Sequence, residues 1–168
     1  GQMGVEPFIE ALKQNVDVII AGRAYDPTVF AALPILRGFD PGLALHCGKI
    51  LECAAIASSP GSGSDCMFGT IYEDSFVLET LNPIRKCTTL SVSAHTLYEK
   101  TNPYILPGPG GTIDLHNTTF TQISENQVEV KGSVYIPSNP YTIKLEAAKC
   151  VGYRTVSIAG VRDSIFIR

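Results

Sequence analysis

The sequence predicts an α/β fold: parallel strand-helix units first, then a mixed sheet with short antiparallel strands. Three observations lead there. A β-branched apolar run, Val16-Asp17-Val18-Ile19-Ile20-Ala21, stands between two stretches with helical spacing, the setting of a buried parallel strand. Two Asp-Pro pairs, Asp26-Pro27 and Asp40-Pro41, each offer a capping carboxylate followed by a proline suited to the first helical position. Beyond about residue 68, short β-branched and aromatic runs separated by turn residues replace the helical pattern.

The elements follow in order. Pro7, Phe8, Ile9, Ala11 and Leu12 have helical spacing, with Glu6 and Glu10 toward the N-terminal end. Residues 16–21 form the expected strand and Gly22 ends it. A helix then runs from Pro27 through Val29, Phe30, Ala32 and Leu33. The longest helix is expected from Gly42 to Ser58, with Leu43, Cys47, Ile50, Leu51 and Ala54 as its apolar stripe and His46, Lys49 and Cys53 on an adjoining one. The glycine- and serine-rich stretch Ser59–Asp65 stops it. Strand patterns follow at 70–72, 76–78, 112–115, 128–130, 133–136, 141–145 and 155–158, and one helix intervenes near Val92–Lys100. Pro107-Gly108-Pro109-Gly110-Gly111 reads as loop, either a lid or a connection into Thr112. Residues 1–168 read as a partial domain of a longer protein with a change of layer near residue 68, because a parallel strand near the start needs neighbours.

Composition narrows the function classes. The 168 residues are 45% hydrophobic and 17% charged, ample for a core and too poor in charge for a disordered chain. Thirteen Lys and Arg against sixteen Asp and Glu give a net charge of −3, which argues against nucleic acid as a partner. No apolar run is long enough to span a membrane. Five cysteines, an odd number with no CxxC pair, point to a reducing, cytoplasmic setting and to no metal site of the zinc-ribbon kind. The triplet Asn117-Thr118-Thr119 is discounted as a glycosylation signal because nothing else suggests secretion.

Several segments in order, Val16–Asp26, His46–Cys53, Pro60–Cys66, Ser93–Glu99, Leu106–Gly111 and Val151–Arg154, resemble the acyclic terpene utilisation family, AtuA type. The resemblance implies the later part of a longer main domain. It also implies a context, bacterial breakdown of citronellol and geraniol through coenzyme A thioesters. It carries over no catalytic residue. The expected function is a catabolic enzyme acting on a coenzyme A thioester or related carboxylic acid, with hydratase or lyase chemistry. The alternatives are a non-catalytic scaffold subunit and a hydrolase using Cys66 or a metal near His95. No cofactor is expected beyond coenzyme A as carrier of the substrate. The expected partners are a small-molecule substrate and a second copy or a missing segment.

The candidate site residues come from the sequence itself. Arg23 and Asp26 follow the expected strand, where open α/β sheets bind ligands; Arg23 can hold a carboxylate or phosphate, and Asp26 is equally a helix cap paired with Arg23. Gly61, Ser62, Gly63 and Ser64 can wrap backbone and hydroxyl donors around an anion, or simply connect two elements. It is neither a Walker loop nor a dinucleotide fingerprint. Arg23 and this loop are expected to share one anion site. His46 is a possible general base or a buried, hydrogen-bonded ring. His95 and Glu99, at i and i+4, make a possible acid-base pair or an ordinary surface pair. Cys66 is a possible nucleophile or a structural thiol. Lys144 and Glu146 fall on one face of an expected strand.

Overall fold

A computed structural model describes residues 1–167. Four helices, a short 3-10 turn and seven strands form two wholly antiparallel sheets. Helix α1 covers Glu6–Lys13, α2 Thr28–Leu36 and α3 Pro41–Leu51, and the 3-10 turn covers Ala54–Ala57. Strands β1 (Met67–Ile71) and β2 (Ser75–Thr80) precede helix α4 (Thr89–His95). Then come β3 (Ile105–Gly108), β4 (Gly111–Asp114), β5 (Thr119–Ser124), β6 (Gln127–Lys131) and β7 (Val134–Pro137). One sheet has the order β1-β2-β6-β5 and the other β3-β4-β7.

The expected parallel strand-helix units are therefore corrected. Residues 16–21 form no strand; the segment is exposed, with Ile20 95% accessible. Its β-branched side chains suit a pleated surface, but a strand exists only where a neighbour completes its ladder, and none lies alongside. Among the described residues the only parallel pairing is one isolated bridge, Met3 to Ala24. Residues 141–145 and 155–158 likewise form no strand, apart from a single bridge between Lys144 and Gln2.

Helix α3 organises the rest. Asp40 caps it, its carboxylate accepting from the Gly42 and Leu43 amides at 2.8 and 3.0 Å. By contrast, Asp26 caps nothing; Pro27 occupies that position at α2 without a side-chain cap. Residues Gly42–Ile50 of α3 are all buried, because the helix lies between β1 and β2 of one sheet and β4 and β7 of the other. Leu43, Cys47 and Ile50 meet Phe76, Leu78, Val128 and Val130 in the larger core. Ala44 and Leu45 meet Leu106, Ile113 and Leu115 in the smaller.

Two glycines permit this close approach. A Cβ on Gly42 would stand 2.5 Å from the Ser133 carbonyl oxygen, and one on Gly48 would stand 2.5 Å from that of Pro27. Backbone cannot yield as a flexible side chain can. Gly48→Ala is therefore expected to destabilise the chain by about 1–3 kcal/mol, measured as a lower urea midpoint with an unchanged slope. An unchanged midpoint would show that α2 can slide away freely.

The long helix expected to reach Ser58 stops at Leu51, and Ala54 adopts a left-handed backbone (φ 45°) at the break. The helix expected near 92–100 starts earlier, at Thr89, where Thr88 and Ser91 form a reciprocal cap. It ends at His95, so Glu99 lies outside it, with φ 55°. The glycine-proline stretch 107–111 is neither lid nor loose connection but the turn of the β3-β4 hairpin, with Gly108 opposite Gly111 and Gly110 at φ 73°.

Candidate functional site

The N-terminal segment sets up the site. Gln2 donates its amide to the Lys144 carbonyl at 2.8 Å, and Met3 accepts from the Tyr25 amide at 2.9 Å. Two adjacent residues thus tie the 23–26 segment to the chain near 144, which are far apart in sequence. Tyr25 is buried, 5% exposed, and its ring lies against Gly108 of β3. The ammonium groups of Lys144 and Lys100 stand 5.6 and 5.9 Å from the ring centre.

The end of α3 supplies the second component. Lys49, in its last turn, pairs with Glu52. The two side chains are only 8% and 11% exposed. One Glu52 carboxylate oxygen and the Tyr25 hydroxyl are buried without any hydrogen-bond partner. Such atoms ordinarily find a partner, so a pair of them side by side is a place for a ligand or water. Burial raises the Glu52 carboxyl above its usual range, against the lowering effect of Lys49. Burial also pushes the Tyr25 hydroxyl up, reinforced by the charges of Glu52 and Asp26, so it stays protonated at neutral pH. Burial first, then Lys49 and Lys144, lowers the Lys100 ammonium.

Tyr25 and Glu52 face an open groove of about 660 Å³. Phe8, Ile19, Val29 and Phe30 make its apolar wall, and Arg23 and Asp26 stand at its rim. The Arg23 guanidinium donates to Asp26 at 3.1 and 3.4 Å and lies 3.7 Å from Glu146. On its other side Tyr25 borders a more enclosed apolar pocket of about 150 Å³, beside Leu45, Leu106 and Ile113.

The remaining candidates are distributed around this groove. Among the described residues, the Gly61–Ser64 loop does not line it; Ser62 donates its amide to Ala55, and its hydroxyl lies 3.2 Å from that of Ser64. The cation beside the loop is Arg85, which donates to the Pro60 carbonyl at 2.6 Å and to Asp65 at 2.7 Å. That guanidinium holds the Asp65 carboxyl below its usual range. Cys66 is exposed next to it, while Cys47 and Cys87 are buried thiols pushed up to about 12 and about 11.

His46 is 1% exposed on α3, with Nδ1 2.6 Å from the Ser133 hydroxyl and its ring edge-on to Phe76 and Phe120. Burial lowers it to about 3. His95 is buried at the end of α4, stacked on Tyr98 rather than facing Glu99 along a helix, and burial with the Lys49 charge lowers it to about 4. It is the one histidine that adjoins Lys49. Among the described residues no three His, Cys, Asp or Glu side chains converge as a metal site would need.

Sequence reasoning passed over Tyr25, Glu52 and Lys100 as functional groups. Lys49 and Glu52 carried a signal, a charged pair at i and i+3 next to an apolar stripe, but that pattern is commonplace on solvated helix faces. Lys100 carried none.

Comparison with known proteins agrees with the segments quoted above. The model of the acyclic terpene utilisation family protein AtuA matches residues 77–162, about half of the chain. No curated protein and no solved structure matches. Among the described residues no helix is long and apolar enough to cross a membrane. From β2 onward the sequence carries the family's pattern, and the chain belongs to the acyclic terpene utilisation family, AtuA.

Proposed function

We propose that this chain binds an acyl compound, a coenzyme A thioester or a related carboxylic acid, and moves a proton beside its carbonyl, as hydratases and lyases do. The observation that carries this reading is the pair of unpartnered buried groups, the Tyr25 hydroxyl and one Glu52 oxygen, at a groove with an apolar wall. Tyr25, held protonated, donates to the carbonyl oxygen. Glu52, raised toward neutrality, takes or returns the proton. Phe8, Ile19, Val29 and Phe30 receive the acyl chain, and Arg23 at the rim attracts an anionic end. Coenzyme A enters as carrier of the substrate, and the five unpaired cysteines accord with a cytoplasmic setting.

The test follows exchange of the α-hydrogens of butyryl-coenzyme A in deuterated buffer by NMR. The wild-type chain should accelerate exchange, and Glu52→Gln should slow it by about 100-fold or more. Wild-type protein without exchange would sink the enzymatic reading. A second reading, a non-catalytic assembly subunit, then takes its place. It is favoured by the exposure of Val18, Ile20, Val151 and Ile158, apolar side chains suited to a second copy or another segment of the protein.

A further inference from the structure

One group at the groove has no role in proton transfer and no counter-ion. Three lysines come together near Tyr25, and two of them are paired, Lys49 with Glu52 and Lys144 with Glu146. The Lys100 ammonium makes no ion pair or side-chain hydrogen bond among the described residues. It is half-buried just past α4, over a tyrosine ring that it shares with the Lys144 ammonium. The hydroxyl of that tyrosine is itself buried and unpartnered.

The charges that face Lys100 oppose one another. Lys49 and Lys144 repel its proton, as does burial; Glu52 and Glu99 favour it, and so does the face of the Tyr25 ring. Burial and the two cations prevail, and the group is drawn toward the free amine. An amine surrounded by cations in a partly dry site is a recognised route to a nucleophilic lysine.

We propose that Lys100 is the activated amine of this chain and a site of covalent acylation, with a thioester as the acyl donor. The choice of donor rests on the function proposed above; the reactivity of the amine does not. The Lys100 nitrogen lone pair attacks the carbonyl carbon and a C–N bond forms. The C–S bond breaks, and its electron pair leaves on sulfur. The proton lost by nitrogen passes to the thiolate, directly or through the free Glu52 oxygen, while the Tyr25 hydroxyl donates to the carbonyl oxygen. The products are an amide on Lys100 and a free thiol, with no oxidant or reductant consumed. Because an amide is stable, the product removes one cation from the groove and records exposure to acyl thioester.

The experiment compares lysines within the same wild-type molecules, so no variant needs to fold. The whole chain is treated briefly at pH 7.5 with acetyl-coenzyme A, and separately with N-acetoxysuccinimide, an acyl donor without coenzyme A. Peptide mass spectrometry then reads acetyl occupancy at Lys100 against the exposed Lys86 and Lys149. Lys100 should lead by about threefold or more with both reagents, and Lys144→Met should narrow the lead by removing a neighbouring cation. A lead with N-acetoxysuccinimide alone would overturn the thioester donor, and with it count against the proposed function, while the activated amine stands. No lead with either reagent overturns the proposal entirely, even if the α-hydrogen exchange succeeds.

Discussion

Lys49→Met is expected to destabilise the chain by about 3–5 kcal/mol, the cost of leaving a buried carboxylate without its counter-ion. Lys49 and Glu52 are both nearly inaccessible, and Glu52 already has one oxygen with no partner. Without the ammonium the carboxyl must either stay charged in a poorly solvated place or take up a proton. The end of α3 is also where a cation is favoured by the helix dipole. The double variant Lys49→Met/Glu52→Met should recover most of the loss, since replacing both charges by apolar groups is often neutral. Urea unfolding of the four proteins of this cycle measures the coupling. If the single and double variants lose the same stability, the pair is not coupled, and the groove floor is better solvated than its burial implies.

Acid should unfold the chain well before its surface carboxylates are exhausted. His46 and His95 are lowered to about 3 and about 4, against an ordinary value near 6.5. The native state therefore resists protons that the unfolded chain accepts. Above about pH 6.5 both rings are neutral in either state and their contribution to stability is complete. It is lost as the pH falls from there toward 4 for His95 and toward 3 for His46. Glu52 works in the opposite sense, because its raised carboxyl takes a proton in the native state first, and this offsets part of the loss. His46→Gln removes the deeper of the two titrations while leaving an amide for the Ser133 hydroxyl. The expected result is a wild-type melting temperature that drops steeply between pH 6.5 and 4, and a flatter acid limb in the variant. Parallel curves for the two proteins would mean that water reaches the His46 ring.

Much of the second half was legible. The patterns at 70–72, 76–78, 112–115, 128–130 and 133–136 fall on or beside β1, β2, β4, β6 and β7, and Glu125-Asn126 is the turn between β5 and β6. Strand β3 was hidden by its proline and glycine, and β5 by polar residues on an exposed edge. Of the candidate site, Arg23 and Asp26 do line the groove together, but Tyr25 between them was read only as part of a turn. Glu52 and Lys100 are unremarkable charges until burial and neighbours act on them.

What the sequence determined by itself is local. Asp40-Pro41 starts a helix because the capping carboxylate reaches amides two and three residues away, and the family pattern is a property of residue order. Alternation and turn residues set the short antiparallel strands, whose partners are often near in the chain. The tertiary structure alone decided that residues 16–21 pair with nothing, that α3 is buried along most of its length, and that Lys49, Lys100 and Lys144 meet at Tyr25. The physical reason is separation. A strand needs a neighbour, and a charge needs an environment, and here both depend on groups far away in the chain, such as the bridge from Gln2 to Lys144 that closes the groove.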